Sequence, residues 1–267
     1  MSVVSFPRRL HPTWRETRKR DNTLDDSSQK LSFVDRVQRM LERVEYRRAD
    51  SEESKNEIFR MRHDAYTRGG KVAPRASGMF RDELDDAPNV WLIAAYIDGE
   101  LASSVRLHVS AHPEAPLPAM NVFSDVVVPH LKAGECLIDI TRHVNKIEFT
   151  RDFPEMPYLT LRSAFLAEQY FHADYILGAC RVEHQNAFKR MFGVSPWSEP
   201  REYPMLNRAM PLFGYHCRDL RERTLKRYPF YAAESAEREH LFARSSNVDA
   251  DARITVRSAA RRAVEAA

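Results

Sequence analysis

Three cysteines, eight glycines and no long apolar run mark what this 267-residue sequence has little of. Cys136, Cys180 and Cys217 lie far apart, without a CxxC pair or a zinc-type Cys/His spacing, which argues against a disulfide framework and a structural zinc site. They read as reduced, mostly buried thiols. No stretch approaches the roughly 18 consecutive apolar residues of a membrane span, and the opening MSVVSFPRRLHPTW lacks the apolar core of a secretion signal. A cytoplasmic protein with no membrane span is therefore expected. P-loop, GxGxxG, GxSxG, HExxH and kinase-type motifs are missing as well, so the common nucleotide-binding, serine-hydrolase and zinc-protease designs are not expected. The ten histidines form no ligand set; His108 and His143 read as structural or solvent-facing, and no metal is expected. A formal charge of +3 is too small a bias to imply nucleic acid as a partner.

What is present is a globular balance, 43% hydrophobic and 30% charged residues, in a chain long enough to bury a full core. Residues 1–30 are polar, carry Arg8, Arg9, Arg15, Arg18, Lys19 and Arg20, and read as a flexible basic leader. From Leu31 to Val44 apolar residues recur at helical spacing, an amphipathic helix that opens a domain over residues 31–220. VEYRRA reads as a short strand, and Asp50-Ser51 followed by Glu52 and Glu53 caps a second helix that stops at Gly69-Gly70. Arg62 and Tyr66 stand one turn apart on that helix. Residues 195 to about 220 read as extended edge pieces, and residues 221–267 as a charged tail, partly helical or disordered.

WLIAAYI, Asp98-Gly99 and ELASSVRLHV form a β-hairpin in which Val105, Leu107 and Val109 face one way and Ser104, Arg106 and His108 the other. CLIDITRHV, PYLTLRSAFLAEQYF, YILGACRV and HQNAFKRMFG then alternate strand, helix, strand, helix, which predicts a right-handed crossover and a parallel strand pair. The fold class is α/β.

Four constellations stand out: Arg62 with Tyr66, the cluster Asp82-Glu83-Leu84-Asp85-Asp86, Arg106 on the hairpin, and Asp139-Ile140-Thr141-Arg142 on the next strand. Taken singly, each is as well explained by a solvated turn, an exposed strand residue or an ordinary ion pair. Their order resembles the acyl-homoserine-lactone synthases and the N-acyl amino acid synthases, both variants of the GNAT acyltransferase fold. In that pattern Arg62 and Tyr66 match the arginine-aromatic helix, Glu83-Leu84-Asp85 the acidic motif, Arg106-Leu107 the hairpin strand, and Asp139 to Arg142 the acid-x-Ser/Thr-Arg strand. The resemblance spans roughly residues 44–215.

The resemblance implies a GNAT-like fold with a mixed central sheet, two parallel strands that splay apart, and flanking helices. It also implies an N-acyltransferase that moves an acyl group from a carrier thioester to a small-molecule amine. Glu83, Asp85 and Asp139 would hold the ammonium and accept its proton; Arg62, Tyr66, Asp86, Arg106, Thr141 and Arg142 would bind substrate. No cofactor is implied beyond the thioester co-substrate, on acyl carrier protein or coenzyme A. NKIEFTRDFPEM carries no glycine phosphate loop, which favours an acyl carrier protein, with Lys146, Arg151 and Arg162 as its docking residues. The loop from Arg68 to Gly78 has no tryptophan, which favours the amino acid synthase branch over an autoinducer synthase using S-adenosylmethionine, the quorum-sensing alternative. A GNAT-like binding module without catalysis and a nucleic-acid binder using the basic leader are the remaining alternatives. Finally, Asp139 and Arg142 fall on opposite faces of a regular strand, so a β-bulge near Thr141 is expected, with Arg142 reaching an acid of the cluster or the substrate.

Overall fold

The computed structural model describes residues 31–70, 72–203, 208–244 and 254–255. The basic leader and most of the segment after residue 244 lie outside the described residues. In chain order the elements are α1 (Phe33–Leu41), β1 (Val44–Arg48), α2 (Glu52–Arg68), β2 (Val90–Ile97), β3 (Glu100–Ser110), α3 (Met120–Lys132), β4 (Leu137–Asn145), α4 (Ile147–Asp152), α5 (Met156–Phe171) and β5 (Tyr175–Ala179). There follow α6 (Gln185–Phe192), β6 (Ser195–Pro196), β7 (Arg201–Tyr203), β8 (Arg208–Met210), β9 (Leu212–His216), α7 (Cys217–Arg227), α8 (Ser235–Phe242) and β10 (Ile254–Thr255). One eight-stranded sheet runs β10-β1-β2-β3-β4-β5-β9-β6, and β7 pairs with β8 separately.

Local chemistry explains the elements that position the site. Ser51 caps α2 through its side chain, and the helix ends at Gly69. The β2–β3 hairpin turns at Asp98 and Gly99, both at positive φ (52° and 84°), the conformation that an Asp-Gly turn supplies. Strands β4 and β5 are parallel, joined by α5, which is buried along most of its length from Met156 to Glu168. Arg36 donates to Glu155 at 2.8 Å, fastening α1 to the start of α5.

Two sheet faces carry separate cores. Val105, Leu107 and Ile138 pack with Leu161, Phe165 and Leu166 under α5. Leu92, Ala94, Leu101 and Val144 pack with Ile58 and Phe59 under α2. Further along that second face, Phe123, Val127 and Leu131 of α3 cover Leu137, Leu177 and Leu212. Nothing in the sequence pattern pointed to α3: its valine-rich run and Pro129 oppose helix formation locally, and packing overrides them.

The expected boundary at residue 220 is corrected. α7, the turn Pro229–Tyr231 and α8 belong to the folded body, with Tyr228, Phe230, Tyr231, Leu241 and Phe242 all 4% exposed or less. High charge disguised them, because three ring residues, Tyr228, Phe230 and Tyr231, supply the burial that the surrounding arginines and glutamates do not. Ile254–Thr255 adds antiparallel to β1 at the sheet edge. Among the described residues no helix is long and apolar enough to cross a membrane.

Candidate active site

The acidic cluster folds into a single 3-10 turn, Glu83–Asp86, capped by Asp82. Asp82 and Asp85 form a reciprocal capping box: Asp85 Oδ2 accepts from the Asp82 backbone at 2.9 Å. That local bond turns both carboxylates inward, against the arginines of α2, β3 and β4. Arg62 Nη1 donates to Asp85 Oδ1 at 2.7 Å, and both side chains are fully buried. Arg106, 1% exposed, donates to Asp82 Oδ1 at 2.6 Å, lies 3.1 Å from Asp85 Oδ1, and donates through Nε to Thr141 Oγ1 at 3.0 Å. Arg142 Nη2 donates to Asp82 Oδ2 at 2.5 Å. Burial alone would raise the Asp82 carboxyl, but Arg106 and Arg142 hold it down at about 2.

Arg142 reaches this layer through the expected bulge. Arg106 stands opposite Thr141 and Ser104 opposite Val144, so β4 spends three residues where β3 spends two. Arg142 takes up the difference at φ 53°, a left-handed conformation uncommon outside glycine. Its guanidinium lies 4.8 Å from the Phe80 ring centre, and Tyr66, edge-on to Phe80 at 4.9 Å, interacts with it through its hydroxyl. The bulge also explains why Asp139, Thr141 and Val144 all face α2.

Asp139 sits opposite His108 in the ladder and is 1% exposed. Its Oδ2 accepts from the backbone of Ala119, at the start of α3, at 2.6 Å. Burial pushes its carboxyl up to about 6, against the pull of Ala119 and Arg106. His108 is driven down to about 4 by burial and by Arg106, so the ring is neutral at pH 7. With Nε2 2.9 Å from the Leu84 carbonyl, that neutral ring donates its proton there and ties the acidic turn to β3. Burial and the Asp139 carboxylate push up the phenol of Tyr203, on β7.

The β4–β5 ladder is short. It pairs Leu137–Ile140 with Tyr175–Gly178 and then stops, although β4 continues to Asn145. In the gap lies a cavity of about 390 Å³. One end is formed by Tyr66, Thr141 and Arg142 from the polar layer; the wall beyond is apolar, with Leu161, Phe165, Phe188, Phe192, Met210 and Phe213. Arg181, His184 and Arg208 also border it.

The structure thus brings together Arg62, Tyr66, Asp85, Arg106, Asp139, Thr141 and Arg142. It does not bring in Glu83 or Asp86. Glu83 is exposed, and the inward acid is Asp82, three residues before Asp85 at the spacing a capping box requires. Asp86 is exposed and paired with Arg81 and Lys55. Among the expected docking residues Arg151 is exposed and Lys146 half-buried beside Glu100. Arg162 is corrected outright: it is 3% exposed and donates to the carbonyls of Phe230 and Ala232 and to Glu237, so it cannot meet a partner. The roles of His108, Tyr203 and the cavity aromatics were not legible as site features, because each lies in a separate element joined only by the fold. Among the described residues there is no cluster of three or more metal-ligating side chains.

Comparison with known proteins agrees with this architecture. The family described as N-acyl amino acid synthase FeeM matches residues 57–217. The solved structure of FeeM, an N-acyl amino acid synthase from uncultured soil microbes, superposes with a TM-score of 0.58 at 13% identity, covering 69% of this chain and 96% of that one. A CoA-dependent acyl-homoserine lactone synthase, BjaI, solved with SAM and isopentyl-CoA, gives 0.50 at 16% identity, covering 70% and 90%. The acyl-homoserine lactone synthase LasI gives 0.50 at 15% identity, covering 66% and 93%. No curated protein matches the sequence. The family match covers more than half of the chain and takes in Arg62, the acidic turn, Arg106, the bulged strand and the splay, and the chain belongs to the N-acyl amino acid synthase FeeM family of GNAT-like acyltransferases.

Proposed function

We propose that this acyltransferase moves a fatty acyl group from the thioester of an acyl carrier protein, or of coenzyme A, onto the amine of an amino acid or related small molecule. The observation that carries this reading is the cavity in the splay, whose lining joins a largely apolar wall to Tyr66, Thr141 and Arg142 of the polar layer. A thioester is already activated, so the enzyme has to align a neutral amine and stabilise the oxyanion. The amine nitrogen attacks the carbonyl carbon, the C–S bond breaks, one amine proton passes to a base, and the thiolate leaves to be protonated. Asp139 is the carboxyl in the layer that changes protonation near neutral pH, which suits it to take that proton directly or through water. Asp82 and Asp85 stay ionic partners of the three arginines, and Thr141 and Arg142 line the channel where the acceptor would lie. Backbone groups of β4 and β5 beyond Ile140 and Gly178 are left by the ladder to face the thioester arm.

Carrier protein is the preferred donor in this reading. The segment after β4 lacks glycine, while Arg181, His184 and Arg208 border the cavity and Lys146 and Arg151 lie just beyond the end of β4. An acidic carrier would be steered by such a rim. Incubation with acyl-carrier thioesters and a panel of amino acids, read by mass spectrometry, tests the reading: N-acyl amino acids are expected. A lactone formed only with S-adenosylmethionine would reassign the acceptor, and no thiol release with any amine would overturn catalysis.

A further inference from the structure

The family match ends at residue 217, so α7, the turn Pro229–Tyr231 and α8 lie outside the matched residues. This C-terminal segment does not stay at the surface. Tyr231 is fully buried and stacks on Phe165, ring centres 4.3 Å apart and planes 18° apart. It also stands 6.1 Å from Phe192. Phe165 and Phe192 both line the cavity, whereas Tyr231 does not; it is the second layer of the wall.

The turn is held by hydrogen bonds from α5, the helix that carries Phe165. Arg162 Nε donates to the Phe230 carbonyl at 2.7 Å, Gln169 Nε2 to the Tyr231 carbonyl at 3.1 Å, and Arg162 Nη2 to the Ala232 carbonyl at 3.1 Å. Three consecutive carbonyls are therefore fixed by two side chains of one helix. The Arg162–Glu237 pair ties α8 to the same point, with Nη2 2.9 Å from Oε2. Among the described residues the Tyr231 hydroxyl is buried without a hydrogen-bond partner, so the ring rather than the hydroxyl accounts for the residue's contacts here.

We infer that this C-terminal segment sets the length of acyl chain the cavity accepts, with Tyr231 as the positioning residue that keeps Phe165 pressed into the channel. The inference rests on reading the cavity as the acyl site. Close packing leaves Phe165 no room to swing toward α7 and α8 while Tyr231 occupies the space behind it. A chain growing along the channel meets a wall backed by a braced ring, and an extra methylene has no volume to enter. A brace that served stability alone would not change which chain fits.

The test measures kcat/KM for short, medium and long acyl groups on a small pantetheine arm, using the full chain and the variants Tyr231→Phe, Tyr231→Leu, Tyr231→Ala and Phe165→Leu. Tyr231→Ala and Tyr231→Leu are expected to raise the long-to-short ratio by about tenfold or more, the size of a few-methylene discrimination. Tyr231→Phe keeps the ring and is expected to leave the ratio unchanged. If Tyr231→Ala does not fold, Tyr231→Leu, which retains apolar volume, carries the same comparison. A ratio moved by Phe165→Leu but not by either small Tyr231 variant overturns the inference and leaves the acyl cavity standing. A ratio that no variant moves overturns both.

Discussion

On the α2 face of the sheet, beside an apolar core, stands a cluster of charge: three arginines, Arg62, Arg106 and Arg142, meet two carboxylates of one short turn, with nearly every atom out of solvent. On the α5 face it is rings that dominate: Phe165, Phe192, Tyr215 and Tyr231 pack on one another, with Arg162, Gln169 and the Tyr215 hydroxyl making the polar contacts around them. The two layers meet at the gap between β4 and β5, where the cavity is lined by Arg142 on one side and Phe165 on the other. On the proposed reading, their difference suits them to different work. Buried charge is costly and has strict geometry, so it suits a place where an amine and its proton must be handled. Aromatic packing is tolerant of chemistry but strict about volume, so it suits selection by size.

The contrast is sharpest for Asp139. Asp139→Asn is expected to lower kcat by about 10² or more if it takes the amine's proton, and to abolish a limb of the wild-type profile that rises with pH through about 6. Its native carboxyl lies above the ordinary Asp value, so it favours folding below that value and that favour is lost as pH rises through about 6. The same variant should therefore be more stable than wild type above pH 6, by on the order of 3 kcal/mol. Pre-steady-state rates and thermal unfolding across pH check both signs; a variant both inactive and less stable above pH 6 contradicts the assignment.

Across the sheet the dominant effect should be on stability. Arg162→Met leaves Glu237 and two backbone carbonyls facing a vanished cation, and is expected to cost about 3–5 kcal/mol in urea unfolding. Loss of activity without loss of stability in that variant would place Arg162 in the wrong layer. Smaller is the effect of Asp82→Asn, which removes a carboxylate held at about 2. It should lose about 2 kcal/mol at neutral pH, and the gap between variant and wild type should close as pH falls from the ordinary Asp value through about 2. Smallest is Glu83→Gln, exposed beside Asp82: unfolding within roughly 0.5 kcal/mol of wild type and near-normal turnover are expected. A large kinetic loss there would return Glu83 to the site.

The charged layer is largely legible in the sequence, and the aromatic layer is not. Arg62, Arg106 and the strand from Asp139 to Arg142 stand out through the order of the motifs and its resemblance to a known family, since each taken singly reads as well as an exposed strand residue or an ordinary ion pair. Even the bulge followed from parity: residues 139 and 142 cannot share a face of a regular strand. What parity could not decide is which acids turn inward, since Asp82 and Glu83 are neighbours and only the capping box selects between them. The ring layer is assembled from α5, α6, β9 and the turn at Tyr231, elements far apart in sequence. No local pattern links Phe165 to Tyr231, and Arg162, in the middle of α5, shows as a cation without showing which way it points.

The early end of the β4–β5 ladder has one more consequence. A sheet ordinarily has two borders, and each offers unpaired main-chain groups to any strand that drifts past, which makes borders prone to unwanted association. By stopping the pairing at Ile140 and Gly178, this sheet acquires two additional borders in its middle. They keep the same capacity to add a strand-like guest, such as the amide-rich arm of a thioester. Walled by α5 and α6 and by the side chains of the polar layer, they would, on the proposed reading, take a slender extended molecule rather than a second polypeptide sheet. The molecule thereby gains strand-type recognition at its centre without the adhesive rim that strand-type recognition usually entails.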